Sequence, residues 1–127
     1  MRFKTGYSLF AGLIVLFLIT APSVFANKSS VSVDAPESAA RGSKITIKIN
    51  VEHDGNSILH YTKWVYVMIN GEEIERWDYT WRKRPEAENF TKEITYTVNE
   101  PIEIVAESSC NTHGSKGKAI KKVSLKE

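Results

Sequence analysis

The chain has 127 residues, with 17 basic and 15 acidic side chains, three histidines and one cysteine. That length holds one domain at most. A hydrophobic fraction of 42% with 25% charge excludes a disordered tail, a collagen-like repeat and a multispan membrane protein.

The first 26 residues read as an export signal. Arg2 and Lys4 precede an uninterrupted apolar run from Leu9 to Ile19, Pro22 breaks it, and Val24-Phe25-Ala26 supplies the small or apolar residues that a signal peptidase reads. The run is shorter than the roughly 20 residues a spanning helix needs, so cleavage after Ala26 is the expectation, with a periplasmic or extracellular destination. Residues 27–127 then form the mature domain of 101 residues, which carries 15 basic and 15 acidic side chains. A neutral domain lacks the broad basic surface of a nucleic-acid binder. Export also bears on Cys110, because small secreted domains commonly pair their cysteines and this one has no partner in the chain. It is a buried bystander, an intermolecular link, or a thiolate held by something else.

From Val31 onward the pattern has a period of two. A short strand is expected at Val31–Val33, and a clear one at Ile45, Ile47, Ile49 and Val51, with Thr46, Lys48 and Asn50 between them. Tyr61 to Ile69 is aromatic and β-branched almost throughout, as for a central strand covered on both faces. Asn70-Gly71 predicts a type I′ hairpin, whose two central residues need positive φ, with a returning strand from Glu72 to about Tyr79. Arg82 to Glu88 is a charged loop containing Pro85. Phe90–Val98, Ile102–Glu107 and Ala119–Leu125 supply three more strands, the first two joined by the turn Asn99-Glu100-Pro101. No helical period is evident in the mature chain, and about seven short strands match an all-β, immunoglobulin-like sandwich. Trp64, within the most apolar strand, reads as core packing. Trp77 and Trp81 stay open between core and surface roles, and Asn89-Phe90-Thr91 matches a glycosylation acceptor only at chance level.

The three histidines fall in two clusters, His53-Asp-Gly-Asn-Ser-Ile-Leu-His60 and Cys110-Asn-Thr-His113-Gly. A borderline-soft divalent metal favours imidazole nitrogen and thiolate sulfur. Cys-x-x-His on a turn after a strand lets two side chains point at one ion, and the Gly- and Asn-containing loop can fold His53 and His60 together. Surface histidines with a buried free thiol would have the same composition. Zinc-finger spacing fails for want of a second cysteine, and a hydrolase for want of a nucleophile-elbow pattern. A blue-copper site shares the upstream His and the late Cys and His, but it wants a weak axial ligand, usually Met, just past that histidine. Here Gly114-Ser-Lys-Gly-Lys follows, and Met68 lies in the central strand.

His60-Tyr61-Thr62-Lys63-Trp64 resembles the H-[HY]-I-x-W-I signature of the desulfoferrodoxin and neelaredoxin (superoxide reductase) family, and Cys110-Asn111-Thr112-His113-Gly114 its C-N-x-H-G signature. Asp34-Ala35-Pro36-Glu37-Ser38 is similar to the segment preceding the family's paired-histidine loop. The resemblance implies an immunoglobulin-like sandwich with one non-haem iron, four equatorial histidine nitrogens, an axial cysteine sulfur and an open sixth position. By motif match, His53, His60 and His113 become equatorial ligands and Cys110 the axial thiolate. Ferrous iron would reduce superoxide to hydrogen peroxide, drawing on an external electron donor. The family's remaining histidine follows a lysine near the start of the domain. Here Lys28-Ser29 stands near that place, which keeps Lys28 as the residue associated with substrate attraction and puts serine at the ligand position. The His53 loop has six intervening residues, against the family's usual five, and lacks the usual proline.

The implied donor set is therefore three histidines and one cysteine, open to water or to a carboxylate from Glu52, Asp54 or Asp34. Such a set suits iron, or zinc if the site is degenerate. Lys116, Lys118, Lys121 and Lys122 are placed either to steer an anion or to protect a strand edge. The alternative function is an immunoglobulin-like binding, metal-delivery or electron-carrier module with a structural or degenerate metal site. Self-association is left open.

Overall fold

The computed structural model describes residues 27–127, and the export-signal reading of residues 1–26 lies outside the described residues. Eight strands follow in order: β1 (Ser30–Asp34), β2 (Ser38–Ala40), β3 (Ser43–Glu52), β4 (Thr62–Ile69), β5 (Glu72–Asp78), β6 (Phe90–Val98), β7 (Ile102–Cys110) and β8 (Ala119–Lys126). They form a three-stranded sheet, β1-β3-β6, and a five-stranded sheet, β2-β8-β7-β4-β5. The result is the all-β, immunoglobulin-like architecture expected from the pattern.

The core is the alternation made physical. Ile45, Ile47, Ile49 and Val51 of β3 face inward, opposite Val65, Val67 and Ile69 of β4 and Ile102, Ile104 and Ala106 of β7, and all are buried. Because side chains alternate between faces of a strand, every second residue of these strands meets the opposing sheet. Asn70 and Gly71 close the β4–β5 hairpin with φ of 50° and 83°, the positive pair a type I′ turn requires.

Two expectations about β4 need correction, and the strands, expected to number about seven, are eight among the described residues, because β2 is too short for alternation to register. It also pairs parallel with β8, Ser38 opposite Ser124, a pairing that no hairpin turn announces. Next, β4 lies between β7 and β5 but is covered on one face only, with Trp64, Tyr66 and Met68 half-buried on the outer face. Trp64 is accordingly not a core residue. It stacks on Tyr66 at 5.5 Å, and the Arg76 guanidinium lies 5.3 Å above it. Burial and the hydrogen bond from Tyr66 to Glu107 push this tyrosine up to about 12. The tryptophan that packs on the core is Trp77, while Trp81 is half exposed in the charged loop under Arg82. The aromatic run in β4 thus covers a sheet face that amphipathic side chains can share with water.

The inward row carries the stability. Ile47→Ala, at a fully buried position, is expected to cost about 2–5 kcal/mol, whereas Ile120→Ala, at a position 61% exposed on β8, costs less than about 0.5 kcal/mol. Urea unfolding of the two variants measures the difference. Equal losses would contradict this assignment of the core.

Candidate metal centre

At one end of the sandwich the inward rows change from apolar to polar. In β7 the row Ile102, Ile104, Ala106 continues as Ser108 and Cys110, all buried. In β3 the row ending at Val51 continues to His53, one residue beyond the strand and 3% exposed. At the start of β4 the buried Thr62 follows His60 by two residues, on the strand paired with β7, where Thr62 faces Cys110. The core is therefore capped first by a hydroxyl layer. Ser29 Oγ lies 3.0 Å from Thr62 Oγ1 and 2.8 Å from Ser108 Oγ, with all three residues buried. Buried hydroxyls need partners, and these three supply one another.

Above that layer His53, His60 and Cys110 converge, with a ligand atom from each within 4.8 Å of the others. Cys110 Sγ is 3.4 Å from His60 Nδ1, and the rings of His53 and His60 lie 4.5 Å apart between centroids. The Thr112 backbone N–H points at the sulfur from 3.4 Å. Burial, reinforced by the neighbouring charge of His60, holds His53 below the usual histidine range. It is thus neutral, the form that binds metal. Its Nδ1 is buried without a hydrogen-bond partner, and its Nε2 is 3.2 Å from the Asn27 carbonyl oxygen. Two imidazoles and a thiolate this close form a donor set suited to a borderline-soft ion, so the residues fit the iron implied by the sequence resemblance.

His113 follows on the turn after β7, which the Cys110 N–H closes onto Gly114 O at 2.9 Å. Its Nδ1 is 3.8 Å from Cys110 Sγ and its ring 5.0 Å from that of His60. It is exposed at the rim and lies outside the tight group of three. Ser29, at the expected place of the family's remaining histidine, turns its side chain into the hydroxyl layer. Among the described residues no carboxylate joins the group. Asp34 pairs with Lys48 at the opposite end of β1 from Ser30, roughly 13 Å along the strand. Glu52 and Asp54 instead flank His53 in a cleft of about 360 Å³ that Lys28, Lys116 and Asn89 also line. Of the basic residues considered for steering, Lys28 and Lys116 are the ones in this cleft. Lys121 is paired with Glu37.

Three residues have positioning roles that the sequence did not assign, although Asn111 belongs to the C-N-x-H-G motif. Asn111 binds the His60 loop to the cysteine turn: its Oδ1 accepts from Tyr61 N at 3.0 Å and its Nδ2 donates to Leu59 O at 3.2 Å, while its own N–H donates to Tyr61 O. Asn89, considered from sequence only as a glycan acceptor, takes the His53 N–H on its Oδ1 at 3.1 Å. Gly55 packs directly against His60, where a Cβ would lie 2.0 Å from Cδ2. A bare asparagine or glycine gives no sequence signal for such a role. The hydrogen bonds exist only once distant segments meet.

Gly55→Ala is expected to push the His60 ring out of the cluster and weaken Co2+ binding by at least roughly tenfold, the scale found when groups supporting a metal ligand are lost. Anaerobic titration followed by visible absorption measures this. Unchanged affinity would show that the close packing of Gly55 on His60 does not hold the ligand in place.

The family model described as desulfoferrodoxin matches residues 23–116. No curated protein gives a significant match. Among solved structures, the fold is similar to superoxide reductase (neelaredoxin) from Ignicoccus hospitalis, at 19% identity and a TM-score of 0.66, covering 78% of this chain and 82% of that one. It is also similar to a putative superoxide reductase from Thermotoga maritima, at 20% identity and a TM-score of 0.58, covering 77% and 86%. A CARDB domain from Pyrococcus furiosus, solved in complex with di-metal ions, is similar at 18% identity and a TM-score of 0.61, covering 80% and 96%. At these identities the structural likenesses establish the fold, whereas the family match spans the His53 loop, the His60 strand and the cysteine turn. The chain belongs to the desulfoferrodoxin family.

Proposed function

We propose that the mature domain is an exported non-haem iron protein that reduces superoxide to hydrogen peroxide, with His53, His60, His113 and Cys110 as ligands. The convergence of His53, His60 and Cys110 within 4.8 Å at the end of the core carries the reading, and the family membership supplies the chemistry. Ferrous iron, when bound there, supplies the one electron that superoxide needs. With two protons that electron gives hydrogen peroxide, and an external donor restores it.

The protein's own groups have separate parts in this reading. Cys110 would hold the ion through an electron-rich sulfur, and thiolate ligation favours electron donation by iron. The Thr112 N–H against the sulfur moderates that charge. Lys28 and Lys116 line the cleft beside His53 and draw in an anion, though Glu52 and Asp54 in the same cleft limit the net attraction. His113, exposed at the rim, is the ligand best placed to move between bound and unbound positions. The hydroxyl layer beneath the cluster keeps the thiolate from facing a purely apolar floor, where its charge would be costly.

A second reading has its own observation in favour. The tight group of three donors together with His113 at its rim, 3.8 Å from the sulfur, makes the four-donor set of a tetrahedral structural metal in a binding module, zinc included.

One experiment separates the two. The purified protein is loaded with iron, oxidised and examined by visible absorption alongside Cys110→Ser, and superoxide is then supplied to each. The proposed function predicts a sulfur-to-iron charge-transfer band that the substitution abolishes, and superoxide consumption without oxygen release that falls at least roughly a hundredfold in the variant. Stoichiometric zinc with no visible band under any iron loading would favour the structural metal.

A further inference from the structure

Three imidazoles and a thiolate leave positions open on an ion that takes more than four ligands. The chain has no further histidine or cysteine, and no carboxylate joins the cluster among the described residues. Backbone, water and a chain terminus are sources from which a remaining donor can come.

The backbone beside the centre is that of Asn27. Its carbonyl oxygen is 3.2 Å from His53 Nε2. Two residues later Ser29 bridges Ser115, with Ser29 N donating to Gly114 O at 3.2 Å and Lys116 N donating to Ser29 O at 2.9 Å. Residues 27–29 therefore pass between the loop of His53 and the turn that carries His113. In the metal-free chain this is a hydrogen bond from Nε2–H to the carbonyl, and in the other imidazole tautomer, with the proton on Nδ1, Nε2 and the carbonyl oxygen at 3.2 Å are two donors spaced to share one ion. Ligands each about 2.1 Å from a metal and at right angles lie about 3.0 Å apart.

Leader cleavage after Ala26 makes Asn27 the first residue of the exported protein. Backbone nitrogen and oxygen of one residue lie within roughly 4 Å of each other, so the nitrogen of Asn27 is within roughly 7 Å of His53 Nε2 before any adjustment. In the unprocessed chain that nitrogen is a planar amide whose lone pair is delocalised into the preceding carbonyl, and it is no ligand at neutral pH. Cleavage converts it to an α-amine with a pKa of about 7.7–8.0, a nitrogen donor of the same class as imidazole. A terminal residue can also turn freely about its own backbone bonds, which lets its nitrogen and oxygen close a five-membered chelate ring on one ion.

We infer that Asn27, through the α-amine generated by leader removal and its own carbonyl oxygen, is a further ligand of the metal held by His53, His60 and Cys110, so that export processing completes the site. This rests on the metal-centre reading above and on cleavage after Ala26.

The test compares the domain beginning at Asn27, released from a fusion partner by a protease that leaves no extra residue, with the same domain retaining Ala26. Both are labelled with 15N-asparagine and titrated anaerobically with Co2+. The inference predicts at least roughly tenfold tighter binding for the Asn27 start, together with a 15N electron–nuclear coupling that retention of Ala26 abolishes. Equal affinities with no 15N coupling in either protein would overturn the inference and leave the metal centre intact. No Co2+ binding by either protein would overturn the metal centre and this inference with it.

Discussion

The strict alternation of side chains across a β-strand is the constraint on which this centre depends. In β3 and β7 every second residue enters the core, and at one end of the sandwich the same rows run on for one or two positions after the apolar residues stop. Ile49, Val51 and His53 form one such row, Ile104, Ala106, Ser108 and Cys110 another. β4 reaches the centre differently: a register shift between Thr62 and Trp64 leaves Thr62 buried although it is out of phase with Val65, Val67 and Ile69, and His60 stands two residues before it. The apolar part of each row anchors the strand against the opposite sheet, and its polar end then has little freedom in where it points. A metal site built this way takes its precision from the core, as sites on rigid elements do.

Between core and cluster lies the layer of Ser29, Thr62 and Ser108. It has two effects. It satisfies polar groups that would otherwise be stranded at the edge of an apolar interior. It also ties the first residues of the described chain to both β4 and β7, which brings Asn27 and Lys28 beside His53. The segment 27–29 is therefore part of the site's surroundings, and the Ser29–Gly114 and Lys116–Ser29 hydrogen bonds couple it to the cysteine turn. Asn111 does the corresponding work between that turn and the His60 loop.

Much of this was legible in the sequence, for reasons specific to particular residues. Ile45, Ile47, Ile49 and Val51 alternate without interruption, and Asn70-Gly71 names its own turn, so most of the strands and one hairpin followed directly. The Cys-x-x-His turn and the paired histidines pointed to the candidate cluster, of which the structure gathers His53, His60 and Cys110, because few side chains offer nitrogen or sulfur to a metal. Trp64 misled because burial on both faces and half-burial on one face draw the same aromatic residues. β2 was hidden by its three-residue length. His113 shares a motif with Cys110, yet its place on an exposed turn sets it at the rim, and motif spacing carries no information on that. Asn111, Asn89, Gly55 and the Asn27 carbonyl act through contacts across 26 to 52 positions or through simple lack of bulk, neither of which leaves a local pattern.

The central claim is that Cys110 and the neighbouring imidazoles hold one ion through sulfur and nitrogen. X-ray absorption at the iron edge, on the domain beginning at Asn27 and loaded with ferrous iron, tests it most directly. The account predicts one sulfur scatterer per iron accompanied by imidazole nitrogens, with the sulfur lost in Cys110→Ser. Iron surrounded by oxygen and nitrogen alone at every loading would contradict it.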